Sequence, residues 1–282
     1  MSRSATRVAG MTTTPNAQTD LNPQSDARTG LRLASRTLAA LLIREILSRY
    51  GRTNLAFLWL IVEPLILCVG VMIVWSFIRH DSHGIPLIAF IVSGYMPLTL
   101  WRHISSHAVT CIRHNTALLY HRSVRPLDLL FATVILEFLG TSMALIAVFS
   151  TLRLAGLVEP QARIDLMVGG WLFMAWLSFG VGMILSALSE QFDFVEKLIS
   201  PFQYLMLPVS GCFFMVSWLP TWTQRLALYV PTVHCYEMFR AGLLGETVET
   251  YFSVPFLATV CLIATGVGLT MMHRAAASLH FE

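Results

Sequence analysis

The sequence predicts an all-α integral membrane protein: six transmembrane helices, an amphipathic helix before them, and a re-entrant helical pair between the fifth and sixth. Three observations carry this reading. Hydrophobic residues make up 55% of the chain and charged residues only 12%, where a soluble domain carries about 25% charged residues. Six apolar runs, 57–78, 86–111, 127–152, 166–188, 198–216 and 252–272, approach or exceed the roughly 20 residues a helix needs to cross ~30 Å of hydrocarbon. Between the last two lies SWLPTWTQRLALYVPTVHCYEMFRAG, too polar to span and too apolar for an ordinary loop.

Residues 1–30 are rich in Ser, Thr, Asn, Gln and Asp, lack an apolar core of the signal-peptide kind and read as a disordered tail. In 31–52, Leu31, Leu38, Leu41, Leu42 and Ile46 share one helical face, with Arg36 and Arg44 pointing away and Gly51 ending the helix. That pattern suits a helix lying in the membrane interface. It serves either as a surface anchor or as the border of a partner protein. Residues 53–282 form the six-span domain. After the second span, in segment 112–126, Asn115 is placed to cap a short helix whose Leu118, Leu119 and Tyr120 make an apolar knob beside His121, Arg122 and Arg125. The knob either contacts another protein or dips into the headgroups. In 217–249, Trp222, Leu226 and Tyr229 share one face of a first short helix. After Pro231, Tyr236, Phe239 and Leu243 share a face of a second, opposite His234 and Glu237. Backbone broken in this way is tolerated at membrane depth only where protein buries it or a polar cavity faces it.

Arginines cluster before the first span and after the second, with Lys197 after the fourth and Arg274 after the sixth, so both termini are expected in the cytoplasm. The net charge of +3 follows from this topology without nucleic acid as a partner. Ionisable residues within spans are functional candidates by default. Glu63 lies about 9 Å inside its span at ~1.5 Å per residue, and Arg102 comes to a similar depth, where pairing would neutralise both. Glu137 falls near mid-membrane, either protonated and hydrogen-bonded or facing water. His103 and His107 have metal-ligand spacing but no third ligand nearby in sequence, so no metal site is expected. Trp59, Trp75, Trp101 and Trp171 lie near predicted span ends, where Trp gathers at the interface. The five cysteines give no disulfide pattern.

Three stretches carry a resemblance to a known family. GRTNLAFLWLIVEPL resembles the interfacial-helix-to-first-span signature of type-2 ABC exporter permeases, and NTALLYHRSVRPLD is similar to their cytoplasmic coupling segment. LPVSGCFFMVSWLP followed by YVPTVHCYEMFRAGLLG resembles their fifth-span end and extracytoplasmic gate. The likeness runs from about Leu31 onward and is greatest to capsular polysaccharide export permeases of the KpsM type. It implies a permease in the bacterial inner membrane that moves lipid-linked polysaccharide. It implies ATPase coupling through Asn115, Leu118, Leu119, Tyr120, His121, Arg122 and Arg125, and an external gate of Trp218, Trp222, Tyr229, Tyr236, Glu237, Phe239 and Arg240. Trp59, Tyr95, Trp101, Phe213 and Phe214 are the channel aromatics it suggests. The implied partners are a second copy of the chain, two cytoplasmic ATPase subunits, periplasmic and outer-membrane export proteins, and membrane lipid.

The chain has no G-x-x-x-x-G-K-[ST] phosphate loop, so ATP and Mg are expected on the separate ATPase and no cofactor on this chain. A membrane enzyme acting on lipid-linked sugar would need clustered acidic or His pairs at an interface, and the sequence shows none. O-antigen, teichoic acid and small lipophilic compounds remain alternative cargoes.

Overall fold

The computed structural model describes residues 35–47, 62, 66, 69–70, 73–74, 87–115, 125–157, 163–245 and 248–278. It divides into 1–36, of which Ser35 and Arg36 are described as exposed and helical, and 37–282, to which everything below belongs. The described residues are helical, with no strand among them: α1 (35–47), α2 (Leu87–His114), α3 (Pro126–Leu154), α4 (Ile164–Gln191), α5 (Phe194–Met206), α6 (Thr221–Ala227), α7 (Pro231–Leu244) and α8 (Val254–Ser278).

Four of these, α2, α3, α4 and α8, are long and apolar enough to cross a membrane. At ~1.5 Å per residue, the 28 residues of α2 and of α4 extend about 42 Å. Pro126 occupies the first turn of α3, where its missing N–H costs nothing. The predicted first span, with Glu63, Trp59 and Trp75, lies almost wholly outside the described residues. Ile66, Val69, Ile73 and Val74 within it are helical and exposed.

The fifth apolar run, 198–216, is not one helix. Helix α5 ends at Met206 after 13 residues, about 20 Å, too short for ~30 Å of hydrocarbon. Pro208 has no N–H to continue it, and Gly211 takes φ 96°, a left-handed conformation that glycine alone adopts freely. Residues 207–215 form an irregular loop leading into a single 3-10 turn, Val216–Trp218.

Helix α4 is the hub, packing against α2, α7 and α8. Small residues permit its approach to α7. A Cβ at Gly170 would stand 2.7 Å from the Phe239 backbone N and 2.9 Å from the Cys235 carbonyl, and one at Gly242 would collide with the Met167 backbone. The two backbones are therefore in contact, as small-residue interfaces between membrane helices allow. Trp171 and Trp101 are corrections to the interfacial-belt expectation. Trp171 is buried with Nε1 donating to Ser142 Oγ at 2.9 Å, and its ring lies 6.1 Å from Phe239. Trp101 is buried mid-helix with its ring 6.4 Å from Phe202. Both fill the bundle.

Candidate functional site

Helix α7 is too short to span, yet every residue from Val233 to Leu243 is buried. It starts at Pro231, which suits a first helical turn, and it sits at the end of the bundle where α2 and α4 begin and α3 finishes. Phe239 packs between Trp171 and Phe149, and the Arg240 guanidinium lies 4.6 Å from the Phe90 ring centroid. Tyr236, Phe239 and Leu243 face the core as expected. His234 and Glu237, expected on the opposite face, are buried too.

The reason lies in the loops on either side of α7, whose backbone groups have no ladder or helix to satisfy them. Buried backbone donors and acceptors need partners, and three side chains at i, i+3 and i+6 provide them. Ser253 N–H donates to His234 Nδ1 at 3.1 Å, so Nε2 carries the ring proton and donates to the Leu228 carbonyl at 2.8 Å. Glu237 accepts from Val216 N–H at 3.2 Å and from Tyr251 N–H at 3.0 Å. Arg240 donates to the carbonyls of Gly211 (2.9 Å), Phe214 (2.6 Å) and Cys212 (2.7 Å), and to Ser93 Oγ (3.2 Å). Gly94 makes room for this: a Cβ there would collide with the Cys212 carbonyl and stand 3.2 Å from Arg240 Nη2. The local Glu237–Arg240 ion pair that the spacing suggests is absent, because each side chain is engaged with loop backbone.

Two other expected gate residues, Trp222 and Tyr229, are not gathered around α7. Trp222, Leu226 and Tyr229 of the α6 segment are exposed, Trp222 at 68% and Tyr229 at 76%, so Trp222 does not join Tyr236 and Phe239 in a seal. Trp218 is half-buried with its ring 4.8 Å from Phe90. Phe213 is exposed, and Phe214 contributes its carbonyl to Arg240.

At the opposite end, where α2 and α4 finish, polar contacts tie the helix termini. Arg113 donates to the Ser189 carbonyl and the Asp193 carboxylate and stands 3.5 Å from Glu196. The short helix that Asn115 is expected to cap lies outside the described residues. Asn115 Nδ2 donates back to the Cys111 carbonyl at 2.9 Å and its Oδ1 accepts from Arg44 at 2.6 Å, linking α1 to the end of α2. Leu38, Leu41 and Leu42 of α1 pack on the core, whereas Ile46 is exposed. Leu118, Leu119, Tyr120, His121 and Arg122 lie outside the described residues. Arg125 precedes α3, its N–H 3.4 Å from Asp128 Oδ2.

Between the two ends, Glu137 of α3 is buried against α2, with His103 Nδ1 3.4 Å from Oε2 and His107 Nε2 3.3 Å from Oε1. Its partners were visible in the sequence as two histidines four apart, but nothing local set them against a carboxylate 30 or more residues later. Arg102 lies over the Tyr204 ring at 5.5 Å. Its expected partner, Glu63, is outside the described residues. No His, Cys, Asp and Glu grouping suited to a metal ion occurs among the described residues.

Membrane-length helices, a helix clamped by its own polar side chains at one end of the bundle and ionisable groups along one face describe a membrane permease. Residues 36–244 match the ABC-2 type transporter family, and the chain belongs to that family. The chain is 40% identical over 250 residues to the capsule polysaccharide export inner-membrane protein BexB of Haemophilus influenzae, a match covering 88% of this chain and 94% of BexB. It is 39% identical over 245 residues to CtrC of Neisseria meningitidis serogroup A, a protein of the same description, with coverage of 86% and 92%. The polysialic acid transport protein KpsM of Escherichia coli is 26% identical over 246 residues, covering 87% of this chain and 95% of KpsM.

Proposed function

We propose that this chain is the permease subunit of an ATP-driven exporter that moves lipid-linked capsular polysaccharide across the inner membrane. The observation that carries it is near full-length similarity, at 39–40% identity, to two capsule polysaccharide export inner-membrane proteins. In this reading two copies enclose the pathway, with both termini in the cytoplasm. Two ATPase subunits, which bind ATP and Mg, press on the 112–126 segment and on α1. The Arg44 to Asn115 hydrogen bond supports a mechanical link between those elements and the end of α2. The α6–α7 pair lies at the external exit, and periplasmic and outer-membrane export proteins receive the polymer.

The clamp around α7 refines the gating idea. Because α7 is bonded to both flanking loops and packed backbone to backbone on α4, it moves with α4 as one body. Closure then falls to the exposed rings of α6, with Trp222 and Tyr229 as the side chains positioned to meet a second copy or the polymer.

Deleting the gene in its native host tests the function. The polymer should accumulate in the cytoplasm and vanish from the surface, and the full chain supplied in trans should restore it. Purified chain should hydrolyse no ATP, while its complex with the partner ATPase should. Surface polymer that persists in the deletion strain would overturn the reading.

A further inference from the structure

Helix α5 is held to its own bundle unlike its neighbours. Helix α4 meets other helices through glycines: a Cβ at Gly182 would stand 3.0 Å from the Ala108 Cβ of α2, and one at Gly268 of α8 would stand 2.7 Å from the Met183 Cβ. Of the 13 residues of α5, only Ile199 and Gln203 are buried within the chain. Leu198, Tyr204 and Leu205 are more than half exposed, and Pro201 removes one hydrogen bond from inside the helix. Short, interrupted and packed through two side chains, α5 is the described helix best suited to shift while the others stay together.

Polar contacts fasten it at three levels. In its middle, Gln203 Nε2 donates to Ser106 Oγ at 2.9 Å and to the Arg102 carbonyl at 3.2 Å, both in α2. Beyond its last residue, the loop 207–215 is bound to α7 through Arg240, and Thr232 Oγ1 donates to the Ser210 carbonyl at 3.1 Å. At its start the fastening is Arg113, in the last turn of α2. This guanidinium donates to the carboxylate of Asp193, the residue before α5, and stands 3.5 Å from Glu196 in the first turn. It also donates to the Ser189 carbonyl near the end of α4, whose hydroxyl returns a bond to the Val109 carbonyl of α2 at 2.8 Å. One side chain thereby joins the ends of α2, α4 and α5.

The place of this joint is informative. Arg113 lies two residues before Asn115, the partner of Arg44, where α2 passes into the 112–126 segment. Asp193 is 88% exposed and Glu196 40%, and ion pairs so open to water add little to stability. What the guanidinium supplies is direction, because its planar fork of donors orients the carboxylates it meets.

We propose that Arg113 is a coupling residue: it passes displacement of the end of α2 to α5, which carries it along the bundle to the loop clamped by Arg240. This role rests on the export reading, in which the ATPase presses on the 112–126 segment, and adds the route by which that motion leaves the segment.

The test uses the full chain with its partner ATPase in nanodiscs. Spin labels sit on cysteines placed at the exposed Leu198 of α5 and Leu269 of α8, the native cysteines being Ser. The distance between the labels should change when ATP and vanadate trap the complex. Arg113→Ala should suppress that change and lower surface polymer at least about fivefold, the lower end of coupling between sites, while complex assembly and ATP hydrolysis stay within about twofold of wild type. Asp193→Asn with Glu196→Gln, both outside the buried core, should reproduce the uncoupling from the other side. Arg113→Lys, which keeps the charge but not the fork, should restore about half of the export. Arg163→Ala, which breaks an exposed pair with Asp165 elsewhere, should change neither distance nor export. An unchanged distance in the wild-type complex would overturn the role of α5. The role of Arg113 would be overturned by a full distance change in Arg113→Ala, by export within about twofold of wild type in the Asp193 and Glu196 variant, or by loss of the complex itself, which would make Arg113 a docking residue. The deletion phenotype is independent of all these results, so the export reading would survive them.

Discussion

Replacing Arg240 with Ala should unlock the loop that follows α5. The wild-type guanidinium donates to three loop carbonyls and one hydroxyl in a fully buried setting. Truncation removes every one of these bonds and strands the carbonyls of Gly211, Cys212 and Phe214, at about 1–3 kcal/mol for each buried group left unsatisfied. Water entering the vacated space recovers part of that, so a net loss of about 4 kcal/mol is expected, at the upper end of single-substitution effects. For a domain of this size that lowers the melting temperature by about 8–16 °C. Two readouts separate local from global damage. Thermal melting in detergent reports the total. Maleimide labelling of Cys212, in a variant whose other cysteines are Ser, reports the loop, because that thiol is buried beside the clamp. Cys212 should be unreactive with Arg240 present and reactive in Arg240→Ala, with Arg240→Lys between them. A melting temperature within about 2 °C of wild type together with an unreactive Cys212 would refute the clamp.

Gly94→Ala should disrupt the same loop from the other side, since its methyl would meet the Cys212 carbonyl, whereas Gly266→Ala, with nothing within 4 Å, should leave melting unchanged. Glu237→Gln keeps one acceptor oxygen and strands either Val216 N–H or Tyr251 N–H; a loss of about 1–3 kcal/mol is expected in thermal melting. In the single chain purified in detergent, cysteine at Trp222 should label freely with a thiol reagent and cysteine at Phe239 should not, in line with their exposures of 68% and 0%, and in the assembled exporter at rest the Trp222 position should become shielded. Paired Leu119→Asp and Tyr120→Asp should abolish surface polymer while leaving the protein in the membrane, measured by capsule staining beside an immunoblot, because a docking knob cannot bury unpaired charge.

Long apolar runs made α2, α3, α4 and α8 legible to within a few residues at most ends, and Pro231 marked the start of α7. The fifth run misled because apolarity does not distinguish helix from buried loop. Residues 207–216 are as apolar as a span, and only Pro208 and Gly211 signal the break. The faces of α7 were half legible. Periodicity identified Tyr236, Phe239 and Leu243 and set His234 and Glu237 on the opposite face, but it could not say what that face meets. It contains no term for loop backbone that needs partners. Glu137 shows the same gap: its depth was plain, while the approach of His103 and His107 depends on how α2 packs against α3. Trp101 and Trp171 looked interfacial by their distance from predicted span ends and proved interior by packing, which a helix apolar on all sides does not reveal.

The polar stripe of α7 also bears on how the chain enters the membrane. A helix carrying Arg240, Glu237 and His234 has no favourable route into lipid by itself, since a charged side chain at the centre of an inserting helix costs about 2.5–3.5 kcal/mol. Its partners come from distant points in the chain: Ser93 and Phe90 in α2, the carbonyls from Gly211 to Phe214, and Tyr251 and Ser253 just before α8. Helix α7 therefore docks only after α2 and α4 are assembled, and the clamp closes only once the start of α8 has left the ribosome. A nascent chain arrested before Tyr251 would hold Glu237 half-satisfied, which makes emergence of the residues just before α8 the step that commits the α7 end of the bundle to its final form.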